Sequence, residues 1–310
     1  MRLPARSFLT IADWSADELL AMLARARDLR RMWRAGERPQ TLLGRTLAMY
    51  FEKPSLRTHV TFEAGMTQLG GHAILLRPEQ VGIGTRESPT DVARNLSRWV
   101  DGIMARTFSH ALVEQLAAEA TIPVINGLTD LLHPCQAMAD LQTVAEVMEP
   151  KAARIAYVGD GNNVANSLLL LAAVLGLDLR VATPRTHRPA QRIAKQAAEL
   201  ARRSGARIDV LDDPVEAVRG ASFVYTDTWT SMGQEAEAEQ RRQIFAAYQV
   251  NDALLAHAPD AWVMHCLPAH RGEEITSDVL DGERSLVYEQ AENRLHAQKA
   301  VLEAVMLGPR

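Results

Sequence analysis

The most constraining feature of this sequence is a regular alternation of short apolar, β-branched runs with segments of helical periodicity, along the whole chain. Strands separated by helices are typical of βαβ units with parallel sheets. The runs predicted to be strands are Thr46–Phe51, Ala73–Leu76, Gly102–Ala105, Ile122–Ile125, Arg154–Val158, Leu179–Ala182, Arg207–Leu211, Phe223–Thr226 and Trp262–His265. This pattern predicts an α/β protein with two doubly wound parallel-sheet domains rather than one wide sheet.

The domain boundary is predicted near Glu149-Pro150-Lys151, where a proline and two charged residues interrupt the pattern after a helix. At roughly 150 residues per domain, a chain of 310 residues has room for two domains, each with its own core. The predicted domains are residues 1–149 and 150–290. Residues 291–310 are predicted to form a helix that packs back onto the first domain, so that interdomain helices join the two.

Charge and hydropathy argue against several classes of function. The 34 Lys and Arg residues against 38 Asp and Glu give a net charge of −4, which predicts no nucleic-acid partner and no anionic membrane. The longest apolar stretch, Leu168 to Leu177, is shorter than the roughly 18 residues of a membrane span. No signal peptide is visible, and the only cysteines are Cys135 and Cys266. We therefore expect a cytoplasmic protein without a disulfide framework.

Polar segments follow directly after five of the predicted strands, at 52–58, 106–107, 159–163, 227–233 and 265–271. They contain Arg, His, Cys and Asp in addition to the usual turn residues. Because ligands of open α/β sheets bind at the carboxyl ends of strands, we expect a site to which both halves of the chain contribute. A single polar turn would carry little weight, since ordinary strands also end in polar turns.

The segment Lys53-Pro54-Ser55-Leu56-Arg57-Thr58 has the chemistry of a phosphate site. Pro54 ends the strand and Ser55 can cap the next helix, whose N-terminus presents N–H donors and a positive dipole end. Arg57 adds a fork of donors that matches phosphate oxygens. An ordinary capped helix has the same local pattern, and the Gly-Lys-Ser/Thr of a Walker loop is missing.

The segment His133-Pro134-Cys135-Gln136 opens another predicted helix. The imidazole can polarise a carbonyl and the Gln136 amide can hold one, although a histidine that caps its own helix fits the same pattern. A zinc site that combines His133 and Cys135 with His265-Cys266 is disfavoured. Adjacent His and Cys side chains point apart, and the spacing fits no common zinc pattern.

The turn Gly159-Asp160-Gly161-Asn162-Asn163 resembles only part of a dinucleotide fingerprint. Val164 occupies the position of the third glycine, and no acidic residue ends the following strand. The turn therefore favours a carboxylate or another small polar group. Asp227, after a different strand, suits an ammonium group. Cys266, after the last strand, is interpreted as a nucleophile or polar contact, although buried cysteines are often core residues.

Together and in this order, the motifs resemble the signature of the aspartate/ornithine carbamoyltransferase family over essentially the whole chain. The motifs are Ser55–Thr58, Arg106-Thr107-Phe108, His133–Gln136, Asp227-x-x-x-Ser231-Met232-Gly233, His265–Ala269 and Glu292-Asn293-Arg294. The Ser-Met-Gly and His-Cys-Leu-Pro segments are similar to those of the ornithine-specific members. The resemblance implies a carbamoyl-phosphate domain followed by an ornithine domain, in a homotrimer or a multiple of trimers. It also implies that no metal and no organic cofactor takes part.

By this resemblance, the chain transfers the carbamoyl group of carbamoyl phosphate to the δ-amine of L-ornithine, giving L-citrulline and phosphate. The residues implied to bind carbamoyl phosphate are Ser55, Leu56, Arg57, Thr58, Arg106, His133, Gln136, Cys266, Leu267 and Arg294. Those implied to bind L-ornithine are Asn163, Asp227, Ser231 and Met232. The implied catalytic residues are Arg106 and His133, which stabilise the carbonyl oxygen, and Cys266, which lies near the reacting amine.

The chain departs from the family pattern at three positions. Leu56 and His59 stand where the family usually has a threonine and a second arginine, and Gly82 stands where a glutamine commonly reaches the neighbouring subunit. Gln80 or Arg86 is the expected replacement for that glutamine.

Three alternatives remain open beside the implied activity. The Gly-Asp-Gly-Asn-Asn turn allows a nucleotide-dependent dehydrogenase, and the departures allow a non-catalytic, oligomer-forming paralogue. A carbamoyltransferase that acts on a related amine such as putrescine is the third. The motifs fit both arginine biosynthesis and arginine breakdown.

Overall fold

The computed structural model describes residues 6–230, 233 and 235–307. Its helices are α1 Ala16–Arg34, α2 Leu56–Gln68, α3 Pro78–Val81, α4 Pro89–Trp99, α5 His110–Glu119, α6 Pro134–Val147, α7 Asn163–Leu175, α8 Gln191–Ser204, α9 Pro214–Val218, α10 Ala238–Phe245, α11 Asp252–Leu255, α12 Ser277–Leu280 and α13 Val287–Met306. Its strands are β1 Thr46–Phe51, β2 His72–Leu76, β3 Gly102–Arg106, β4 Val124–Leu128, β5 Arg154–Val158, β6 Asp178–Ala182, β7 Arg207–Leu211, β8 Phe223–Thr226 and β9 Trp262–His265.

The strands form two sheets in which every pair is parallel, so the predicted α/β class is confirmed. The first sheet has the order β2-β1-β3-β4 and the second β7-β6-β5-β8-β9. In each sheet the chain runs to one edge and then returns to the other side of its first strand. The two reversals place β1 beside β3 and β5 beside β8. Such switch points are where open α/β sheets bind ligands.

The chain forms two compact units, one of residues Met1–Ala139 with Asn293–Arg310 and the other of Asp140–Glu292. The division falls inside helices α6 and α13. The sequence pattern, in contrast, predicts a boundary after α6, at 149/150. Helix α6 continues through the division because its apolar positions, among them Leu141 and Val144, stay buried. Helix α13 begins at Val287, four residues before the predicted start.

Each unit has its own apolar core between sheet and helices. In the first unit, Ile103 and Val124 pack with Val113 of α5. In the second, Val224 and Val263 pack with residues of the helices that follow β7. Within the described ranges, no helix combines the length and the apolar character needed to cross a membrane.

Lys299 is a basic side chain buried inside the first unit. Its ammonium nitrogen Nζ donates a hydrogen bond to Gln68 Oε1 at 3.0 Å. Burial is the largest cause that lowers the pKa of Lys299 from 10.5 to about 8, and the Arg38 guanidinium adds to it. Arg25 acts in the same direction and Glu303 in the opposite one. The folded protein therefore carries a cost for keeping this amine charged at neutral pH.

Replacing Lys299 by methionine should raise the melting temperature at pH 7. Below pH 8 the lysine is charged in both states, and the folded state bears the whole cost, about 3 kcal/mol for a shift of this size. Between pH 8 and 10.5 the native wild type releases the proton that the unfolded chain keeps, so wild-type stability rises with pH. The advantage of Lys299→Met should therefore shrink towards pH 10.5.

Thermal unfolding followed by circular dichroism at pH 7 and pH 10 measures this difference. The matched control is Lys151→Met, because Lys151 is exposed. A Lys299→Met advantage that stayed the same at both pH values would contradict the assigned pKa shift.

Candidate active site

The turn after β1 leads into helix α2 and opens the helix N-terminus to an anion. Ser55 is the N-cap, and its hydroxyl accepts a hydrogen bond from the Thr58 N–H at 3.2 Å. Arg57, on the first turn, is half-buried. The N–H groups of a first helical turn lack partners within the helix and, with the dipole and a guanidinium, form an anion site. This arrangement has the chemistry that the sequence predicts for a phosphate.

Leu56 and His59, the two departures from the family pattern in this motif, differ in their contacts. The Leu56 side chain is 76% exposed. His59 Nε2 lies 3.0 Å from Glu63 Oε2, one turn further along α2, and its ring packs against Phe51 at 5.6 Å between centroids. The histidine that replaces the family's second arginine is thus held on the surface of its own helix.

Residues from four separate motifs meet around the buried Thr58 hydroxyl and the Arg294 guanidinium. Arg294 Nη2 donates to Thr58 Oγ1 at 3.1 Å, and Arg106 Nη1 lies 3.4 Å from the same oxygen. Arg294 Nη1 also donates to Gln136 Oε1 at 2.6 Å. All four side chains are buried. The structure therefore brings the predicted residues Thr58, Arg106, Gln136 and Arg294 together as one cationic group.

His133 lies buried beside this cationic group. Burial lowers the pKa of His133 well below its ordinary value, and the nearby Arg294 and Arg106 guanidinium groups lower it further. Arg57 acts in the same direction. The imidazole is therefore neutral at physiological pH, so that it can donate a hydrogen bond to a carbonyl oxygen without supplying a full charge.

The surroundings of Cys135 indicate a structural role rather than a role in catalysis or metal binding. Its Sγ donates to the Asn126 carbonyl oxygen at 3.5 Å, and burial raises the pKa of the thiol to about 12. A thiol that stays protonated is a poor metal ligand and a poor nucleophile. This geometry argues against the zinc alternative at His133 and Cys135.

Gln298 is a site residue that no sequence motif indicates. With its amide oxygen turned towards Arg294, it accepts from Nε at 3.2 Å and from Nη2 at 2.9 Å, while its nitrogen donates to Thr61 Oγ1 at 2.5 Å. Gln298 is fully buried. It lies four residues after Arg294 on α13, so the helical spacing was the one available signal.

In the second unit, three donors converge on the Asp227 carboxylate at the end of β8. Cys266 Sγ donates to Oδ1 at 2.8 Å, and the Thr228 N–H donates to the same oxygen at 2.8 Å. Asn162 Nδ2 donates to Oδ2 at 2.7 Å. These bonds use three of the roughly four acceptor positions of a carboxylate. Oδ2 can therefore accept from one more donor, such as an ammonium group.

Asn162 links Asp227 to the N-terminus of α7. Its Oδ1 accepts from the Val164 and Ala165 N–H groups at 2.9 and 3.2 Å, which makes it the N-cap, while its Nδ2 holds Asp227. Asn163, predicted to bind substrate, is the first residue of the helix. Asn162 was not predicted as a site residue, although an asparagine before a helix is a common cap.

The close approach at Gly161 argues against a dinucleotide. A Cβ at this position would lie 2.3 Å from Pro189 N and 2.5 Å from the His187 carbonyl oxygen. The Gly161 N–H donates to that oxygen at 3.0 Å. The space that a glycine opens here is filled by the chain's own segment 187–189, whereas a dinucleotide fold opens it to a pyrophosphate.

Arg241 anchors the segment that follows Asp227. Its Nε donates to the Trp229 carbonyl oxygen at 2.5 Å, and its Nη2 pairs with Asp160 in the turn after β5. Burial raises the pKa of Asp160 to about 7, and Arg241 opposes this shift. Ser231 and Met232, which were predicted to bind ornithine, lie outside the described residues.

The turn after β9 is positioned by His265. Its Nδ1 accepts from the Leu267 N–H at 2.8 Å, so Nε2 carries the proton and donates to Glu274 Oε1 at 3.0 Å. The main chain at Leu267 has φ 56°, a conformation that residues other than glycine rarely adopt. The buried His265 and Glu274 thus hold the backbone that presents Cys266.

Asp227, His265 and Cys266 place their donor atoms within 4.8 Å of one another, as a metal site would. Hydrogen bonds among these side chains and their neighbours explain the short distances without a metal ion. The thiol donates to the carboxylate, and both imidazole nitrogens are engaged by Leu267 and Glu274. The arrangement fits a polar substrate site better than a metal site.

Comparison with known proteins agrees with this geometry. Residues 6–146 match the sequence model "Aspartate/ornithine carbamoyltransferase, carbamoyl-P binding domain", and residues 151–305 match "Aspartate/ornithine carbamoyltransferase, Asp/Orn binding domain". The chain belongs to the aspartate/ornithine carbamoyltransferase family. The two carbamoyltransferase models meet around the predicted boundary at 149/150.

Relatives within the carbamoyltransferase family match along the full chain. An ornithine carbamoyltransferase of Anoxybacillus flavithermus is 52% identical over 308 residues, which cover 99% of this chain and 98% of the relative. An "Ornithine carbamoyltransferase, anabolic" of Pyrococcus furiosus is 52% identical over 309 residues, with the same two coverages. The solved structure of an ornithine carbamoyltransferase from Pyrococcus furiosus has a TM-score of 0.96, 50% identity and complete coverage of both chains.

Proposed function

We propose that this chain transfers the carbamoyl group of carbamoyl phosphate to the δ-amine of L-ornithine, giving L-citrulline and phosphate. The observation that carries this proposal is the full-length match, at about half identity, to relatives named ornithine carbamoyltransferase. The cationic group around Thr58 and the Asp227–Cys266 pair supply the anion-binding and amine-binding chemistry that this reaction needs.

Carbamoyl phosphate binds in the first unit. Ser55, Leu56, Arg57 and Thr58 receive the phosphate at the N-terminus of α2, where the backbone N–H groups and the guanidinium stabilise the leaving group. Arg106 and the neutral His133 donate to the carbamoyl oxygen as negative charge develops on it. Each such donor is worth about 3 kcal/mol in the transition state, on oxyanion-hole precedent. Gln136 and Arg294 complete this side of the site.

L-Ornithine binds in the second unit. Asp227 accepts from the α-ammonium group, and Asn163, Ser231 and Met232 hold the α-carboxylate end. The δ-amine must lose a proton before it attacks, since free alkyl ammonium groups have a pKa of about 10. Cys266 and Leu267 lie next to this amine and orient it, and Asp227 holds the thiol that faces it.

The test is citrulline formation from carbamoyl phosphate and L-ornithine, with L-aspartate and N-acetylornithine as alternative acceptors. We expect product with L-ornithine only. Product with L-aspartate would overturn the acceptor assignment, and no product with any acceptor would favour a non-catalytic paralogue.

Cys266→Ser should retain measurable turnover and raise the KM for ornithine by at most about fivefold, the equivalent of losing one hydrogen bond of about 1 kcal/mol. The thiol donates to Asp227, and a neighbouring carboxylate opposes formation of a thiolate. A serine hydroxyl can make the same donation. The matched control is Cys135→Ser, which should leave this KM unchanged.

Steady-state kinetics of Cys266→Ser distinguish orientation from covalent catalysis. Sequential kinetics with a shifted pH optimum are expected. Loss of nearly all turnover, together with ping-pong kinetics in the wild type, would identify Cys266 as a covalent nucleophile instead.

We propose a homotrimer, or a multiple of trimers, as the active assembly. Apolar side chains of the first unit face solvent, among them Leu56 and Val60, one turn apart on α2, and Ile74 on the edge strand β2. Exposed apolar side chains on an unpaired sheet edge are typical of a surface that another chain covers. Gly82, at the position of the family's cross-subunit glutamine, ends α3 with φ 64°. A neighbouring Gln80 or Arg86 is the proposed substitute.

Light scattering should give a mass of three times the 34.2 kDa chain, or a multiple of it. Val60→Asp should reduce this mass, because a charge on the exposed face of α2 opposes burial. Val147→Asp, at an exposed valine on the last residue of α6 in the second unit, is the control and should leave the mass unchanged. A monomeric wild type would contradict the proposed assembly.

We also propose that the reaction runs in the biosynthetic direction, towards arginine, in the cytoplasm. A Pyrococcus furiosus relative with 52% identity carries the description "anabolic". Both cysteines are present as thiols, as expected in a reducing compartment.

A further inference from the structure

A short turn beyond the Cys266 segment groups three potential metal ligands. The backbone of residues 270–275 folds back on itself: Arg271 and Ile275 form a β-bridge, and the Gly272 N–H donates to the Ile275 carbonyl at 2.8 Å. Gly272 has φ 87°, a conformation that favours glycine. The backbone of this turn is therefore well defined.

His270, Glu273 and Glu274 each direct one donor atom to this turn, and the three atoms lie within 4.8 Å of one another. His270 Nδ1 is 3.8 Å from Glu274 Oε2. Ligands of a tetrahedral ion with bonds of about 2.1 Å are separated by about 3.4 Å. A small movement of the half-exposed His270 ring would bring the pair to that separation.

Glu274 supplies the observation that points to a ligand. The residue is fully buried, and Oε1 accepts from His265 Nε2 at 3.0 Å and from the His270 N–H at 2.6 Å. In the part of the chain that the structure describes, Oε2 accepts no hydrogen bond. A buried carboxylate oxygen without a donor is costly, and a cation at this point would remove that cost.

The neighbouring arginines do not occupy all the carboxylate oxygens of this group. Arg271 turns away and donates from Nη2 to Asp281 Oδ1 at 2.8 Å. Arg242 Nε donates to Glu273 Oε1 at 3.0 Å, so the other oxygen of that carboxylate can serve as a ligand. One imidazole nitrogen with two carboxylate oxygens suits a divalent transition ion of the zinc class better than Mg²⁺, which prefers oxygen ligands throughout.

We propose that His270, Glu273 and Glu274 bind a divalent transition-metal ion outside the reaction centre. The ion binds to the turn at 270–275 and takes no part in the reaction. Through Glu274, whose other oxygen holds His265, it stabilises the segment that presents Cys266. Carboxylates that bridge a metal ion and a histidine commonly orient both partners.

The test uses untagged full-length protein stripped with a chelator and titrated with Co²⁺ or Zn²⁺. Calorimetry gives the affinity, and the visible absorption of Co²⁺ reports its ligands. The ligand variants are His270→Asn and Glu273→Gln. The matched control is His257→Asn, because His257 is an exposed histidine of the same unit outside the donor group. A second control, Cys266→Ser, tests whether the ion binds instead at the cluster of Asp227, His265 and Cys266.

We expect one ion per chain, with affinity about 100-fold weaker or worse in His270→Asn and Glu273→Gln, since even indirect ligand partners contribute 10–100-fold. His257→Asn and Cys266→Ser should bind as the wild type does. Zn²⁺ should raise the melting temperature of the wild type but not of His270→Asn. Wild-type affinity in His270→Asn would overturn the proposal. A thiolate-to-cobalt charge-transfer band that disappears in Cys266→Ser would also overturn it.

Discussion

L-Ornithine should exceed putrescine as acceptor by about 10⁴ in kcat/KM, because a site built to hydrogen-bond a group rejects an analogue that lacks it by factors of this size. Putrescine has both amines of ornithine but no α-carboxylate. With putrescine, the proposed contacts of the α-carboxylate with Asn163, at the first turn of α7, and with Ser231 and Met232 would not form. Buried polar groups that lose a partner account for most of such a penalty.

A second analogue distinguishes the contribution of the α-amino group from that of the α-carboxylate. 5-Aminopentanoate keeps the carboxylate and lacks the α-amino group that Asp227 is proposed to bind. Asp227→Asn should therefore reduce kcat/KM for L-ornithine much more than for 5-aminopentanoate. Comparable values for ornithine and putrescine in the wild type would contradict the ornithine assignment and favour a diamine acceptor.

The strands were predictable because their signal is local. Runs such as Arg154–Val158 and Phe223–Thr226 are short, apolar and β-branched, and the structure has them with the predicted bounds. The capping box of Ser15 and Glu18 at the start of α1 depends on a signal of the same local kind, because the two residues are three apart. Parallel pairing followed because helices separate successive strands. Local pattern and alternation thus sufficed for the fold class.

The supporting residues of the site depend on contacts between distant parts of the chain. Gln298 approaches Arg294 with an ordinary helical spacing, but its contact with Thr61 has no sequence signal. Glu274 supports His265 across a turn whose shape the pattern does not predict. The division of the chain inside α6 is likewise a tertiary feature, since the helix continues where two cores divide. Motif positions were therefore easier to predict than the residues that hold them.

Arg57→Ala should weaken carbamoyl phosphate binding by roughly 10- to 100-fold, whereas Asp227→Ala should leave that binding unchanged and raise the ornithine KM by a similar factor. A charge-assisted hydrogen bond is worth about 1.5–3 kcal/mol, which corresponds to factors of this order. The two residues lie in different units of the chain and after different strands. Each loss should therefore appear with one ligand only.

Calorimetric titration of each variant with carbamoyl phosphate, and kinetics with ornithine at saturating carbamoyl phosphate, measure the two effects separately. Arg57→Lys is the matched control for charge: it keeps the cation but loses the planar fork, so its affinity should fall between those of wild type and Arg57→Ala. Asp227→Asn is the complementary control in the second unit, because its amide keeps the shape of the carboxylate but loses the charge that attracts an ammonium group. If Arg57→Ala bound carbamoyl phosphate as wild type does, the phosphate would have to bind elsewhere than the N-terminus of α2.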